Sequence, residues 1–213
     1  MSGASDNKAA GGGGRERILS AAMATLEERG EAALRFADIA KEANVALSVI
    51  THHFGTREGL IAELHARRFA SISARDHEAL QHLAETASTR AEFAAGVAAI
   101  TAATFDDSRS SDRFARVVSI GAMHGRPELA AAMRQEATAM IDRVTQVIIT
   151  GQARGLISRE FDPRAVATFI RAYALGMVER YLDERPTSSD AVVDVVLRAV
   201  GVFMTEPEDI NLA

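Results

Sequence analysis

The chain has 213 residues, of which 47% are hydrophobic and 25% charged, a composition typical of a globular protein with one or two domains. It contains no cysteine, which excludes disulfides, zinc fingers and thiol catalysis. No segment has the pattern of a signal peptide or of a membrane helix, so we expect a soluble, cytoplasmic protein. Residues 1–70 carry nine basic and nine acidic side chains, so the net charge of −5 comes entirely from the residues after position 70.

Alanine-rich stretches with few internal prolines or glycines predict helices along the whole chain, and therefore an all-α fold. Residues 1–14 end in four consecutive glycines and predict a disordered tail. The first helix is predicted over residues 15–29, where Ile18, Ala22 and Leu26 form one apolar stripe. Gly30 is expected to end it.

Residues 35–61 predict two short helices around a tight turn, followed by a capped third helix. Phe36 and Ile39 lie on one face of the first short helix, and Ile50 and Phe54 lie four apart on the second. Thr56 is expected to cap the helix that follows. In the helix-turn-helix arrangement, one helix supports a second helix whose outer face is left free to bind the major groove of DNA.

The rest of the chain predicts further helices separated by caps and breaks. Thr89 and Glu92 form a capping-box pattern, and Asp162 with Pro163 marks another helix start. Residues 106–111 are expected to form a polar loop. The helices after the helix-turn-helix are predicted over residues 56–83, 89–105, 112–124, 127–155, 163–183 and 190–204.

The side chains expected to contact DNA lie at the exposed N-terminal end of the second short helix and beside it. Ser48, Thr51 and His52 can hydrogen-bond bases or phosphates, and Leu47 can contact a thymine methyl group. Two arginines flank the motif and are expected to hold phosphates. The predicted DNA-binding residues are Arg35, Ala46, Leu47, Ser48, Thr51, His52 and Arg57.

The segment FADIAKEANVALSVITHHFGTREGL resembles the DNA-binding signature of the tetracycline-repressor (TetR) family. In that signature an Asp-Ile-Ala helix precedes a Gly-Val-Ser turn, a recognition helix ending in Tyr-X-His-Phe, and a Ser-Lys-Glu-X-Leu helix start. Asn44 replaces the turn glycine and Ala46 replaces the capping serine. Thr51 stands in place of a phosphate-contacting tyrosine, which implies a shorter reach to DNA, and Arg57 stands in place of lysine.

The resemblance implies a homodimeric transcriptional regulator with three parts. Residues 15–62 would form the helix-turn-helix DNA-binding domain, and residues 63–205 would form a larger helical domain for ligand binding and dimerisation. Residues 206–213 would form a C-terminal tail. The chain would bind a pseudopalindromic double-stranded operator and, most simply, act as a repressor that a small-molecule effector releases.

The last two helices carry more apolar surface than one interior face needs, which favours a dimer interface on them. The predicted interface residues are Val166, Ile170, Met177, Tyr181, Val192, Val196, Val200 and Phe203. A second apolar set could line an effector cavity, although residues at helical spacing are more often plain core. The cavity candidates are Phe93, Val97, Phe105, Phe114, Met123, His124, Phe169, Tyr173 and Met177.

The sequence shows no signature of catalysis or of a resident cofactor. The six histidines include no pair at the spacing of a helical metal site, and the common hydrolase and metalloprotease motifs do not occur. We therefore expect neither an enzyme nor a metal protein. The alternative to a DNA-binding regulator is a helical, dimeric protein-interaction module with weak or no DNA binding. The neutral charge of residues 1–70 and the threonine at position 51 favour that alternative.

Overall fold

The computed structural model describes residues 6–204, and the side chains of residues 13–72 and 74–204. Within these residues the secondary structure is helical, without a strand, as predicted. The α-helices are α1 (Asp6–Arg29), α2 (Phe36–Glu42), α3 (Leu47–Phe54), α4 (Arg57–Thr86), α5 (Arg90–Phe105), α6 (Ser110–Gly121), α7 (Pro127–Ala153), α8 (Pro163–Gly176) and α9 (Ser189–Gly201). Short 3-10 helices occupy Glu31–Ala33, Asp107–Arg109, Met177–Tyr181 and Val202–Met204.

Several helix boundaries differ from the prediction; α4, for example, ends at Thr86 and α6 at Gly121. Helix α1 begins at Asp6 and includes much of the segment predicted to be a disordered tail. A helix nucleated from Arg15 onward can propagate through glycines because each added residue gains one backbone hydrogen bond. The predicted loop at 106–111 is a 3-10 turn leading into α6, since the Asp106 carboxylate accepts a hydrogen bond from the Ser108 N–H at 2.9 Å. Helix α8 tightens into 3-10 geometry at Met177.

The predicted helix caps are confirmed. The Thr56 hydroxyl accepts a hydrogen bond from the Gly59 N–H at 3.0 Å, at the start of α4. The Thr89 hydroxyl accepts one from the Glu92 N–H at 3.1 Å, and Asp162 accepts one from the Ala165 N–H at 2.7 Å. These side chains satisfy backbone donors that have no partner inside their helices, which fixes where α4, α5 and α8 begin.

The described residues divide into two compact units. The first contains the residues up to Arg68 together with Ala122–Met133, and the second contains Phe69–Gly121 and the residues from Arg134 onward. The first unit therefore includes the predicted 15–62 segment and extends past it. The predicted C-terminal tail at 206–213 lies outside the described residues. So do residues 1–5 of the predicted N-terminal tail.

Each unit has its own apolar core. The core of the first unit is formed by α1 to α4, and that of the second by α4, α5 and α7 to α9. The first core includes Ile18, Leu19, Leu26, Leu34, Ile39, Ile50, Phe54, Leu60, Ile61 and Leu64. The second includes Ala84, Phe93, Val97, Val147, Ile148, Leu156, Ile157, Val166 and Val200. Every helix between residues 6 and 204 is too short or too polar to cross a membrane.

Candidate functional site

Helix α3 is anchored on one side only. Ile50 and Phe54 are buried in the core of the first unit. The turn before α3 depends on Asn44, whose φ of 52° lies in the left-handed region that asparagine tolerates. The Val45 N–H donates to the Ala40 carbonyl at 3.0 Å and closes this turn. The helix is therefore positioned by local contacts, and its opposite face remains open.

The five predicted base-reading residues lie together on that open face. Leu47 is 51% exposed, although it is a large apolar side chain that a core would accept. Ala46 begins the helix without a side-chain cap, and the Thr51 hydroxyl donates to the Leu47 carbonyl at 3.3 Å. The exposed residues are Ala46, Leu47, Ser48, Thr51 and His52.

The two flanking arginines are placed differently. Arg35 is exposed at the start of α2. The Arg57 guanidinium instead donates to the Leu34 carbonyl at 2.8 Å and to the Glu31 carbonyl at 2.6 Å. These bonds satisfy carbonyls at the end of a 3-10 turn, so Arg57 has a structural role that the sequence did not indicate.

A charged cluster braces the first unit beside α4. Arg126 lies 2.9 Å from the Glu31 carboxylate and 2.9 Å from that of Glu58. The buried His65 places its Nε2 3.2 Å from Glu31. Burial acts to raise the pKa of Glu31, but the hydrogen bonds with Arg126 and His65 lower it overall. Burial lowers the pKa of His65, against the opposing effect of Glu31.

Several other cations of the first unit also stabilise it. Arg17 donates to the Ala43 carbonyl at 3.2 Å, and Arg67 pairs with Glu16 at 2.8 Å. The Arg15 guanidinium lies 5.6 Å from the Phe54 ring. These contacts give Arg15, Arg17 and Arg67 structural roles within the unit.

The residues predicted to line an effector cavity do not form one set. Phe93 and Val97 are packed in the core of the second unit, whereas Phe114 and Phe169 are largely exposed. Met123 and His124 belong to the first unit, because Ala122–Met133 packs there. In the second unit Phe105 is buried with its ring 5.9 Å from that of Tyr173, and burial raises the pKa of Tyr173 to about 12. Met177 lies at the start of a 3-10 helix.

A small, partly open cavity in the second unit has a lining that the sequence analysis largely missed. Phe105 is the predicted residue that lines it, and the other walls come from α4, α5, α6 and α8. Its charged residues are Asp76, Arg109, Asp112, Arg113 and Arg116. Residues 109, 113 and 116 have the spacing of side chains on one face of a helix. Arginines repeated at a spacing usual for buried residues are the sequence signal that could have identified this lining.

Two segments of the chain match known protein families. Residues 18–64 match the bacterial regulatory proteins of the TetR family, and residues 94–184 match the tetracyclin repressor-like C-terminal domain. The chain belongs to the TetR family. Its helix-turn-helix is therefore that of a DNA-binding transcriptional regulator, as the exposed face of α3 indicates. No curated protein sequence gives a significant match.

Solved structures share the fold of this TetR-family chain. A protein from Mesorhizobium loti described as a TetR-family regulator has a TM-score of 0.69 at 18% identity, covering 91% of this chain and 96% of its own. Another from Rhodococcus sp. has a TM-score of 0.66 at 22% identity, with coverage of 91% and 100%. The transcriptional regulator FadR from Bacillus subtilis, in complex with stearoyl-CoA, has a TM-score of 0.59 at 19% identity, with coverage of 87% and 97%.

The predicted dimer residues of this TetR-family chain lie mostly on the inner faces of α8 and α9. Val166 and Val200 are buried in the core of the second unit, and Ile170, Val196 and Phe203 pack against it. Val192, Met177 and Tyr181 are half-buried. The stripe exposed on α8, α9 and the start of the following 3-10 helix is formed instead by Ala165, Phe169, Ala172, Gly176, Ala191, Val195, Ala199 and Val202.

Proposed function

We propose that this chain is a homodimeric transcriptional repressor that binds a pseudopalindromic operator and is released from it by a small-molecule effector. Family membership supports the class of regulator. The observation that carries the proposal is the open face of α3, where Leu47 is 51% exposed on a helix otherwise fixed by buried Ile50 and Phe54.

The chemistry of that face suits the major groove. Leu47 and Ala46 offer apolar contacts to thymine methyl groups, and Ser48, Thr51 and His52 offer hydrogen bonds to base edges or phosphates. Arg35 and Arg57 are both exposed, but Arg57 also donates to two backbone carbonyls. With so small a number of phosphate contacts, binding should fall only modestly as salt rises, since each neutralised phosphate adds to the salt slope.

Two copies are needed for a palindromic site, and the exposed stripe on α8 and α9 is the surface we assign to pairing. Phe169 and Val195 supply large apolar side chains among small ones such as Ala172 and Gly176. Small residues let two helices approach closely, and the larger ones fill the space between them. An interface of this kind has the two-fold symmetry of the proposed operator.

Release by an effector is supported by the cavity in the second unit and by the neighbouring FadR structure, which contains stearoyl-CoA. The cavity is lined by groups from four helices, including α4, which contributes residues to both units. A ligand that binds one arrangement of these helices better than another would shift the population between them. That shift is the basis we propose for loss of operator affinity.

The test is selection of binding sites from random duplex DNA with the full chain, run at low and at physiological salt. We expect enrichment of a symmetric site with two half-sites. Leu47→Glu should abolish enrichment, because it places a negative charge against the bases on a residue that is already exposed. Leu182→Glu is the matched control, since Leu182 is 68% exposed in the second unit.

The second candidate is a protein-interaction module, and the position of Arg57 favours it. That guanidinium gives two of its five donors to backbone carbonyls, which leaves fewer donors for a phosphate. Absence of any enriched site at low salt would favour this candidate and contradict the repressor. Equal enrichment by wild type and Leu47→Glu would show that α3 does not read DNA.

A further inference from the structure

Helix α6 turns its apolar side chains outward and its cations inward. Arg113 and Arg116 are each only 8% exposed, although both are charged. No other helix within the described residues exposes as many large apolar side chains. This is the reverse of the usual arrangement, in which apolar residues face the core and charged residues face water. The apolar side chains, which are 36–60% exposed, are Phe114, Val117, Val118 and Ile120.

Hydrogen bonds fix this orientation of α6. The Arg113 guanidinium donates to the Thr104 and Asp106 carbonyls, both at 2.8 Å, and to the Tyr181 hydroxyl at 3.1 Å. A rotation of α6 that buried its apolar side chains would break all three bonds. The exposure of the apolar face is therefore a fixed property of the single chain.

The exposed apolar residues of α6 form a continuous surface without charge, the α6 stripe. Phe114, Val117, Val118 and Gly121 repeat at the three- and four-residue spacing of one helix face, and Ile120 completes the stripe beside them. No exposed residue between Phe114 and Gly121 is charged. The centres of protein interfaces are depleted of charge, and a contiguous apolar patch on a surface marks an interaction site.

The α6 stripe lies beside the end of α8. The Phe114 ring is 5.3 Å from the Tyr181 ring, and Tyr181 ends the 3-10 helix that follows α8. Helix α6 also packs against α8 itself. The α6 stripe is thus next to the helix whose outer side we assign to pairing.

The exposed stripe of α8 and α9 supplies little apolar surface by itself. Five of its eight residues are alanine or glycine. Permanent homodimers bury roughly 1,000 Å² or more on each partner, through largely apolar interfaces. A stable pair therefore needs further apolar surface next to this stripe, and α6 carries such a surface.

We infer that the α6 stripe packs against a second copy of this chain, so that the dimer interface includes α6 as well as α8 and α9. A two-fold pair places the same surface on both sides, and an uncharged surface can meet its copy without like-charge repulsion. This favours a second copy as the occupant, since the chain has a net charge of −5 and its copies repel each other. The inference rests on the proposed function only in requiring a homodimer.

Val118→Asp tests the interface, because Val118 is 60% exposed and its substitution leaves the core of the chain intact. In sedimentation equilibrium of the full chain without DNA, we expect a dimer dissociation constant at least about tenfold above that of wild type, since each copy would bury an unpaired carboxylate. Circular dichroism should show unchanged helix content. A wild-type dissociation constant in Val118→Asp would overturn the inference.

Ile149→Asp is the matched control. Ile149 is a large apolar residue, 43% exposed on α7, and its exposed neighbours on the same face, Asp142 and Gln146, are polar. This variant should keep the wild-type dissociation constant, because an isolated apolar side chain among polar ones does not form an interface centre.

Thiol reactivity provides a second test that places no charge in the interface. The chain has no cysteine, so Val118→Cys and Ile149→Cys would each carry a single thiol. In the separate chain Val118 is more exposed than Ile149, at 60% against 43%. In the dimer we expect a maleimide to react at position 118 at least about tenfold more slowly than at position 149, because pairing covers the α6 stripe. Equal rates, or faster reaction at position 118, would overturn the inference.

The outcomes separate this inference from the proposed function. A wild-type dimer that Val118→Asp does not weaken would overturn the inference and leave the repressor standing. Failure to select a DNA site would contradict the repressor and leave the inference standing, since dimerisation is measured without DNA. A wild-type chain that sediments as a monomer would overturn both.

Discussion

His65 lies in the interior of the first unit, 2% exposed, with its Nε2 3.2 Å from the Glu31 carboxylate. Burial lowers its pKa, so the folded chain takes up a proton there less readily than the unfolded chain does. Glu31 also has a lowered pKa, because Arg126 and His65 outweigh its own burial. In neutral solution Glu31 therefore favours the folded state and His65 carries no penalty, whereas protonation of either group disfavours folding.

Acid should destabilise the chain in two steps. Below about pH 6.5 the unfolded state gains a proton at His65 that the folded state resists, so the free energy of unfolding falls as pH falls. A second loss, from Glu31, follows below about pH 4.3. Urea unfolding followed by circular dichroism between pH 7.5 and 5 measures the first step.

His65→Gln should reduce the pH dependence between 7.5 and 5 and leave the part due to His77, whose pKa burial also lowers. The glutamine amide can still donate to Glu31 but does not titrate in this range. His82→Gln is the matched control, since His82 is exposed on α4. It should keep the wild-type slope. The interpretation fails if His65→Gln shows the same slope as wild type.

The side chains that sequence could predict are those governed by near neighbours. The exposure of Leu47 and Ser48 follows from the spacing of Ile50 and Phe54, and the left-handed turn follows from Asn44. The structural bonds of Arg57 were not predicted, because one acceptor, the Leu34 carbonyl, is 23 residues away in the sequence. Only the folded arrangement shows such a contact.

At the level of elements, the close succession of α3 and α4 depends on Gly59. A Cβ atom at this position would lie 2.3 Å from the Phe54 carbonyl oxygen. That distance is shorter than any ordinary contact, and the opposing atom belongs to the backbone. Any side chain at residue 59 would therefore force α3 and α4 apart.

Gly59→Ala should lower the free energy of unfolding by about 1–3 kcal/mol, the usual cost of a forced backbone shift. It should also weaken DNA binding, because the displaced element carries the open face. Gly121→Ala is the control, since a Cβ on that residue meets nothing within 4 Å. Urea midpoints of the two variants measure the difference, and equal midpoints would refute the steric argument.

The starts of α8 and α9 could be predicted from the Asp162 cap and the apolar spacing, but not which face of each helix meets the core. Each helix has two adjacent apolar stripes, with Val166 next to Phe169 and Val196 next to Val195. Which stripe meets the protomer core depends on α5 and α7, which are distant in sequence. The arginine lining of the cavity was not predicted, because the predicted cavity residues were mainly apolar.

At the scale of the whole molecule, the proposal requires two copies. The outer stripe of α8 and α9 includes Val195, which is 65% exposed. An aspartate at position 195 would be buried without a partner in any dimer formed through this outer stripe. The core of the protomer would be unaffected, because the residue already faces outward.

Val195→Asp should therefore convert the protein to a monomer that remains folded and loses specific DNA binding. Leu182→Asp is the matched control, since that residue is equally exposed outside the stripe. Analytical ultracentrifugation and circular dichroism measure the two properties. A Val195→Asp variant that remains dimeric would show that another surface forms the pair.

The most direct test of paired recognition by α3 is methylation protection of guanine N7 on the selected duplex, because N7 lies in the major groove. We expect two protected patches about one helical turn, roughly 34 Å, apart with wild type, and none with Leu47→Glu. A single protected patch would contradict the paired recognition helices. Unaltered protection with Leu47→Glu would contradict the role of α3 itself.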